Sequence, residues 1–215
     1  MSEAKNRILA RLRQVNPSAP ERPEQPYAPY LGEDAPARLA RFCSRLEAAH
    51  AEVVRCPQQS LAAQLQAMVE GASLTRLLAG NDGPFSAAIS QACGSRLSCF
   101  DKPMSEFKAV LFTDVDAGIS QAWGAIADTG TLVLWTGPNE PRSLSLVPPV
   151  SIIIVAASAI MDNFAQLLAK PQCRQGLPTN LLLVSGPSKT ADIQQTLAYG
   201  AHGPRQLYVV VVEDC

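Results

Sequence analysis

Two short segments in the second half of the chain combine residue types that could bind a polar ligand, and the first is Asp128-Thr129-Gly130-Thr131. Glycine permits a positive φ and lets a ligand come close to the backbone, while the carboxylate and the two hydroxyls could hold a polar substrate. Asp, Thr and Gly are also favoured in tight turns for purely local reasons. The segment is therefore either a substrate-binding turn or an ordinary hairpin turn.

The second segment runs from Ser185 to Asp192, between an apolar run and a predicted helix. A glycine-containing loop that leads into a helix presents free backbone N–H groups and the positive end of the helix dipole, which together favour an anion. The spacing matches neither a Walker A loop nor G-x-G-x-x-G. The alternative is a plain helix start, with Ser188 as the N-cap and Asp192 in the first turn. The candidate ligand-binding residues are Gly186, Ser188, Lys189, Thr190 and Asp192.

Two further side chains are candidates because of their chemistry. His202 is flanked by glycine-containing turns, so it should be accessible for acid–base work or for orienting a ligand. A histidine that only fixes its own loop is the alternative. Arg142 could pair with a carboxylate or a phosphate, although a surface salt bridge is the more common role. The sequence contains no G-x-S-x-G elbow, so a serine hydrolase is not indicated.

The composition excludes several classes of protein. Of the 215 residues, 47% are hydrophobic and 17% are charged, which argues for a folded core and against wholesale disorder. A formal net charge of −1 provides no basic field for nucleic acid. The longest apolar runs are far shorter than the roughly 20 residues of a membrane-spanning helix. Residues 1–13 lack the apolar core of a secretory signal, so we expect a cytoplasmic protein.

The cysteines and histidines do not indicate a cofactor site. The six cysteines form no C-x-x-C pair, and the chain has only two histidines. A zinc site or an iron–sulfur cluster of the chain's own is therefore not expected. We expect free, buried thiols, and any redox chemistry must use a cofactor carried elsewhere.

The N-terminal 33 residues are predicted to differ from the rest of the chain. Residues 3–15 place apolar side chains at helical spacing among four basic ones, which predicts a short amphipathic helix. The prolines that follow predict an extended, semi-rigid connector. We expect this arm to dock on its own domain, on a neighbouring subunit or on a partner protein. The predicted organisation is a helix with a proline-rich linker over 1–33 and a single α/β domain over 34–215.

Strand and helix patterns alternate along that domain. The predicted strands are Ala51–Cys56, Phe107–Thr113, Ala125–Asp128, Thr131–Trp135, Ser151–Ala157, Leu181–Ser185 and Leu207–Val212. Helices are predicted from Asp34, over Ser60–Glu70, over Ala159–Ala169 and over Thr190–Ala198. Several strands are apolar on both faces, which is typical of a sheet covered on both sides. The pattern predicts an α/β fold with a mixed, largely parallel sheet flanked by helices.

Three motifs in this half of the chain resemble the LUD-domain family, in particular its lactate-utilisation protein C type. They are Asp128-Thr-Gly-Thr-Leu-Val-Leu, Arg142-Ser-Leu-Ser-Leu-Val-Pro-Pro, and Ser185-Gly-Pro-Ser-Lys-Thr-Ala-Asp-Ile with Gly200-Ala-His-Gly-Pro. The resemblance spans about residues 105–215, and over the earlier part only the layout is similar. It implies a fold like that of the sugar-phosphate isomerase and CoA-transferase group of α/β proteins.

The resemblance also implies a function and exposes three departures. It implies bacterial oxidation of L-lactate to pyruvate together with two partner proteins, one of which carries the iron–sulfur clusters, so that this chain itself binds no cofactor. Asp128 stands where the family usually has glutamate, Ser151 where it often has histidine, and Gln194 where it commonly has glutamate. Asp128 keeps a carboxylate with a shorter reach, whereas the loss of a histidine at Ser151 and of a carboxylate at Gln194 weakens any acid–base role for those two positions.

Three functional hypotheses remain. The first is a subunit of a lactate-oxidation complex that binds a small anionic ligand in a cleft between the Asp128–Thr131 turn, the Gly186–Asp192 loop and His202, at the carboxyl ends of the strands. The second is a non-catalytic assembly protein that uses its N-terminal arm to bind partners. The third is a stand-alone transferase or isomerase, which rests on analogy of fold alone.

Overall fold

The computed structural model describes residues 3–14, 28, 30–32, 34–100, 104–191, 197–200 and 202–215. Within them the helices are α1 (Glu3–Gln14), α2 (Ala35–Ala48), α3 (Leu61–Gly71), α4 (Ser86–Cys93), α5 (Met104–Thr113), α6 (Arg142–Leu146), α7 (Phe164–Leu168) and α8 (Pro171–Gln175). The strands are β1 (Glu52–Cys56), β2 (Leu77–Ala79), β3 (Leu97–Cys99), β4 (Ala117–Gln121), β5 (Gly124–Ile126), β6 (Thr131–Trp135), β7 (Val150–Ala156), β8 (Ile160–Met161), β9 (Leu181–Val184), β10 (Lys189–Ala191), β11 (Leu197–Tyr199) and β12 (Gln206–Val212).

A six-stranded parallel sheet forms the centre of the molecule, with the strand order β1-β12-β7-β4-β2-β3. A second sheet of four strands, in the order β8-β5-β6-β9, is antiparallel except where β8 pairs with β5. The predicted fold class, a mixed and largely parallel α/β protein, is confirmed. The antiparallel pairs lie outside the main sheet, in the four-stranded sheet and in a separate two-stranded sheet of β10 and β11.

The two faces of the parallel sheet bury alternate residues of the same strands. Ile152 and Ile154 of β7 pack with residues of α3 and α4, whereas Ile153 and Val155 pack with α2 and the four-stranded sheet. Successive side chains of a strand point to opposite faces, so both sets must be apolar when both faces are covered. This is why β7 and β12 are continuous apolar runs.

Helix α2 joins the parallel sheet to the four-stranded one. It begins after Asp34, whose side chain accepts a hydrogen bond of 2.7 Å from the backbone N–H of Ala37. Phe42 and Leu46 are fully buried on one side of the helix. The polar side of α2 carries arginines that reach aspartates after β5 and β8. The helix thereby fixes the turn that follows β5.

Two predicted elements are wrong in type. Residues 107–113 belong to helix α5, in which the Thr113 hydroxyl donates to the Ala109 carbonyl oxygen 3.0 Å away. A short apolar run without clear periodicity does not distinguish a strand from a buried helix. The helix predicted over Thr190–Ala198 is also wrong, because its described ends pair as the antiparallel strands β10 and β11. Residues 192–196 between them lie outside the described residues.

Other predicted elements are confirmed with shifted ends. The helix expected over Ala159–Ala169 is limited to α7, because Ile160–Met161 pairs with β5 and Asn163 then caps the helix through the Gln166 N–H. Helix α1 is present as predicted and has no buried residue. Most of the proline-rich connector, including 15–27, lies outside the described residues.

The thiols are free, but only three of them, Cys43, Cys56 and Cys93, are buried, and Cys99 is exposed. The expectation of buried thiols is therefore met at these three residues and not at Cys99, Cys173 or Cys215, of which the last two are partly buried. Across the described parts of the chain, no helix has the length and apolar character needed to cross a membrane.

Candidate functional site

A cleft of about 230 Å³ lies where the loop after β9 and the loop before β12 meet the parallel sheet. Its polar lining comes from Ser145, Ser151, Ser185, Ser188 and His202. Its aliphatic lining includes Leu146, Leu183, Val184 and Leu207. Apolar walls with a few placed polar groups are typical of small-molecule sites. The imidazole is the one ionisable group among the described lining residues.

The cleft lies at the amino ends of two neighbouring parallel strands. Ser151 is the second residue of β7 and Leu207 is the second residue of β12, and Gln206 pairs with Val150. The prediction of a site at the carboxyl ends is therefore wrong for the parallel sheet. Only β9, a strand of the smaller sheet, has its carboxyl end at the cleft, because Ser185 follows its last residue. The reason is that the loop after β9 returns to the edge where β7 and β12 begin.

The loop that contains Ser188 is held by backbone hydrogen bonds instead of by a helix. The Ser188 N–H donates to the Pro204 carbonyl oxygen at 2.7 Å, and the Ser188 carbonyl oxygen accepts from the Gly200 N–H at 3.0 Å. Because β10 follows, Ser188 is not a helix cap, and the predicted anion site at a helix N-terminus has no helix behind it. Gly203 packs against Ser188, since a Cβ at Gly203 would lie 3.1 Å from the Ser188 Cβ. These contacts bring Ser188 and His202 to one cleft.

The side chain of Ser151 places a buried hydroxyl at the cleft. The residue is 2% exposed, and its Oγ has no hydrogen-bond partner among the described atoms. An unsatisfied buried hydroxyl costs about 1–3 kcal/mol. A molecule that hydrogen-bonds to this Oγ would recover that cost. Ser151, which the sequence analysis identifies only as a departure from the family pattern, is thus part of the cleft.

The Asp128–Thr131 turn lies beside the cleft and does not line it. Asp128 Oδ1 accepts a hydrogen bond from Arg41 Nη2 at 3.2 Å, and the Asp128 side chain is 13% exposed. Gly130 has φ +61°, and a Cβ there would lie 2.5 Å from the Arg45 Cβ. The turn is therefore packed on α2, which supports the hairpin-turn interpretation for Asp128 and Gly130.

Thr131 connects this turn to the cleft. Its Oγ1 lies 2.6 Å from Thr129 Oγ1 and 2.7 Å from Ser185 Oγ, which lines the cleft. The antiparallel pairing of Leu132 with Val184 sets these two side chains next to each other across β6 and β9. The Asp128–Thr131 turn and the loop that begins at Ser185 are thus joined by a series of three hydrogen-bonded hydroxyls.

Arg142 and Lys189, which are among the described residues, do not line the cleft. Arg142 is exposed at the start of α6, with its Nη1 3.4 Å from the Asn180 Oδ1 atom. Lys189 is exposed and begins β10. The Thr190 side chain lies outside the described residues, as do Asp192 and Gln194. Of the predicted set, Gly186, Ser188 and His202 are brought together.

Sequence reasoning missed several lining residues that its own motifs contain. Ser145 and Leu146 belong to the Arg142-Ser-Leu-Ser-Leu motif, from which only the charged residue was selected. The Ser145 hydroxyl donates to the Arg142 carbonyl oxygen at 3.2 Å, so the first turn of α6 presents Ser145 to the cleft. The serine inside the Arg142 motif is the signal that could have identified Ser145 as a lining residue; nothing comparable marks Leu146. The described residues contain no group of three or more His, Cys, Asp or Glu that could hold a metal ion.

The fold and the motif set define this chain as an α/β protein of the LUD class. The LUD domain model matches residues 39–212, and the chain belongs to that family. It is 37% identical over 179 residues to an uncharacterised protein of Neisseria meningitidis serogroup B, covering 81% of this chain and 77% of the relative. It is 33% identical over 170 residues to lactate utilization protein C of an Exiguobacterium species, covering 77% and 73%. The resemblance stated from the sequence is confirmed.

A solved structure agrees with the fold. The crystal structure of a DUF162 family protein from Deinococcus radiodurans superimposes with a TM-score of 0.63 at 22% identity, covering 84% of this chain and 99% of that one. At this level of identity the similarity establishes the fold alone.

Proposed function

We propose that this protein acts in bacterial lactate utilisation, as a subunit of a system that oxidises L-lactate to pyruvate together with iron–sulfur partner proteins. The similarity to relatives named lactate utilization protein C supports this role. Within it, the cleft beside Ser151 and His202 binds a small anionic ligand, for which L-lactate and pyruvate are the first probes. The observation that carries the ligand site is the buried hydroxyl of Ser151, which has no hydrogen-bond partner among the residues that the structure describes.

The size and lining of the cleft support a small ligand. Its volume of about 230 Å³ is below the roughly 300–1,000 Å³ of pockets that hold drug-sized ligands. Serine hydroxyls donate to a carboxylate, and an imidazolium would add a charge-assisted bond. The aliphatic walls suit a short carbon chain. A monocarboxylate matches this combination better than a multiply charged ligand does, because the described lining includes no arginine or lysine.

Titration calorimetry of the purified chain with sodium L-lactate and sodium pyruvate tests the ligand site. We expect Ser151→Ala to weaken binding about fivefold, the equivalent of one ordinary hydrogen bond, without lowering the melting temperature. Ser120→Ala is the matched control, because Ser120 is a fully buried serine on the neighbouring strand β4 and does not line the cleft. Equal losses in both variants, or no binding to the wild-type chain, would contradict the site.

Growth tests the role in lactate utilisation separately from the site. A deletion strain should fail to grow on L-lactate as the sole carbon source and should grow normally on pyruvate. A plasmid that encodes the wild-type chain should restore growth. Normal growth of the deletion strain on L-lactate, with no second copy of the gene, would refute the role.

A second candidate function is assembly of the complex through α1. Ile8 and Leu12 are 60% and 63% exposed, and the helix carries basic residues around them. Removing residues 1–33 should then abolish co-purification with the iron–sulfur proteins. The double variant Ile8→Glu, Leu12→Glu should do the same, while Asn6→Glu, Gln14→Glu adds equal charge without removing an apolar side chain. Retention of the complex by the truncated chain would exclude this function.

A further inference from the structure

The chain of hydroxyls that ends at the cleft begins at the surface. Thr129 is exposed, Thr131 is 4% exposed, and Ser185 lies at the cleft wall. The two oxygen–oxygen distances, 2.6 Å and 2.7 Å, are those of good O–H···O hydrogen bonds. Each hydroxyl has one proton to donate, so the bonds can run in series in only one direction at a time.

Backbone packing holds both ends of this chain in place. Gly130 lies against α2, where a Cβ would be 2.9 Å from the Leu46 backbone nitrogen. Gly186 lies against the end of the same helix, where a Cβ would be 2.9 Å from the Ala49 carbonyl oxygen. With β6 and β9 paired between these two contacts, the Thr131 and Ser185 hydroxyls have little freedom to separate.

The direction of the hydrogen bond between Thr131 and Ser185 decides whether Ser185 can donate to a ligand. If Ser185 donates to Thr131, it presents only lone pairs to the cleft. If Thr131 donates to Ser185, the Ser185 proton is free to point into the cleft. A carboxylate accepts hydrogen bonds and donates none, so an anion selects the second direction, in which Thr129 donates to Thr131 and Thr131 donates to Ser185.

We propose that Thr131 is a positioning residue for the cleft, which orients the Ser185 hydroxyl as a hydrogen-bond donor to an anionic ligand. This inference rests on the proposed function, because it needs an anion in the cleft. It gives the Thr-Gly-Thr part of the turn a ligand-related role although none of its side chains lines the cleft. Thr129 contributes by polarising the same chain from the surface end.

Calorimetric titration with sodium pyruvate and sodium L-lactate tests the proposal on full-length variants. Thr131→Val keeps the branched shape and removes the hydroxyl, and we expect affinity to fall about fivefold. Thr131→Ser should restore most of it, and Thr129→Val should cause a smaller loss. Thr136→Val is the matched control, because the Thr136 hydroxyl donates to the Asn180 carbonyl oxygen at 2.6 Å, away from the cleft.

The outcomes separate this inference from the proposed function. If the wild-type chain binds a probe and Thr131→Val binds it equally well, the positioning role is overturned and the cleft assignment stands. If Thr131→Val weakens binding and Thr131→Ser does not rescue it, the effect is one of packing, and the positioning role is again overturned. If the wild-type chain binds neither probe, the ligand site fails and the positioning role fails with it.

Discussion

The Asp128 carboxylate faces Arg41 of helix α2, with Oδ1 3.2 Å from Nη2, and thereby ties the turn after β5 to that helix. Arg41 also stacks on Tyr30, with its guanidinium carbon 4.0 Å from the ring centroid. A carboxylate that the sequence offered as a ligand-binding group is thus already engaged within the fold. Its contribution is to hold the turn from which Thr131 reaches Ser185.

We expect Asp128→Asn to lower the free energy of unfolding by about 1–2 kcal/mol, because the hydrogen bond to a charged, mostly buried group loses its charge. Urea denaturation of Asp128→Asn, Arg41→Gln and the double variant measures the pair as a double-mutant cycle. Strict additivity of the two single effects would show that the ion pair contributes nothing.

We expect Gly130→Ala to destabilise the protein by roughly 2 kcal/mol or more. The residue has φ +61°, where an L side chain is strained, and its Cβ would lie 2.5 Å from the Arg45 Cβ. Gly137→Ala is the matched control in the loop after β6, since no atom of the described residues lies within 4 Å of a Cβ there. Thermal unfolding should separate the two variants by several degrees. Similar melting temperatures would contradict the close packing of the turn on α2.

Glu140 should make the protein less stable as the pH rises. Burial raises the pKa of Glu140 to about 7, and the nearby Asp82 carboxylate adds to the rise. The side chain lies against Gly80, where a Cβ would be 2.5 Å from Glu140 Oε2. Because the native state keeps the proton more strongly than the unfolded state, the stability contribution is complete below about pH 4.5. It is then lost as the pH rises through about 7.

Glu140→Gln should remove this dependence and stabilise the protein at pH 8 by up to about 3 kcal/mol, at 1.36 kcal/mol per pKa unit. Urea denaturation between pH 4 and pH 8 measures the difference from the wild type. Glu70→Gln is the control for the loss of an exposed carboxylate. A constant difference between Glu140→Gln and the wild type across this range would refute the prediction.

Asp162 should have the opposite pH dependence. Burial alone would raise the pKa of Asp162, but hydrogen bonds from Arg38 at 2.6 Å and Gln166 at 3.1 Å outweigh it and hold the pKa below the usual 3.8. The ionised form is therefore favoured in the folded state. The stabilisation is complete at pH values above the usual pKa of 3.8, and it is lost as the pH falls through the lower pKa of the folded state.

The variant Asp162→Asn tests this at two pH values. It should be less stable than the wild type at pH 7, and the two should converge in strongly acidic solution, as measured by urea denaturation. Asp114→Asn is the control for the loss of a carboxylate that pairs with an arginine, because Asp114 pairs with Arg76 in a more exposed position. A difference between Asp162→Asn and the wild type that persists unchanged in acid would contradict the assignment.

The sequence was sufficient for the fold class and the family. The continuous apolar runs of β7 and β12 predict buried strands, because a strand covered on both faces cannot alternate apolar with polar residues. The three ordered motifs predict the LUD family. The helical periodicity that starts at Asp34 predicts where α2 begins. Each of these signals is local and survives without knowledge of any long-range contact.

Local patterns failed where long-range pairing decides the structure. The Ser185–Asp192 segment has the residues of a helix start, but the Ser188 N–H is taken by the Pro204 carbonyl oxygen, and β10 pairs with β11. The charges of Lys189 and Arg142 predict ligand contacts, but both side chains are exposed, as charged side chains at loop ends most often are. Ser151 carries no charge and stands inside an apolar run, so nothing local marks it as a site residue.

What the sequence determined by itself is therefore the set of elements whose hydrophobic pattern is unambiguous, together with the family. Only the tertiary structure decided that β7 and β12 lie side by side, which puts Ser151 and the loop before β12 at one edge. Only the pairing of β6 with β9 brought Thr131 to Ser185, 54 residues away in the chain. Hydrophobic periodicity records which face of an element is buried, whereas a site depends on which elements become neighbours.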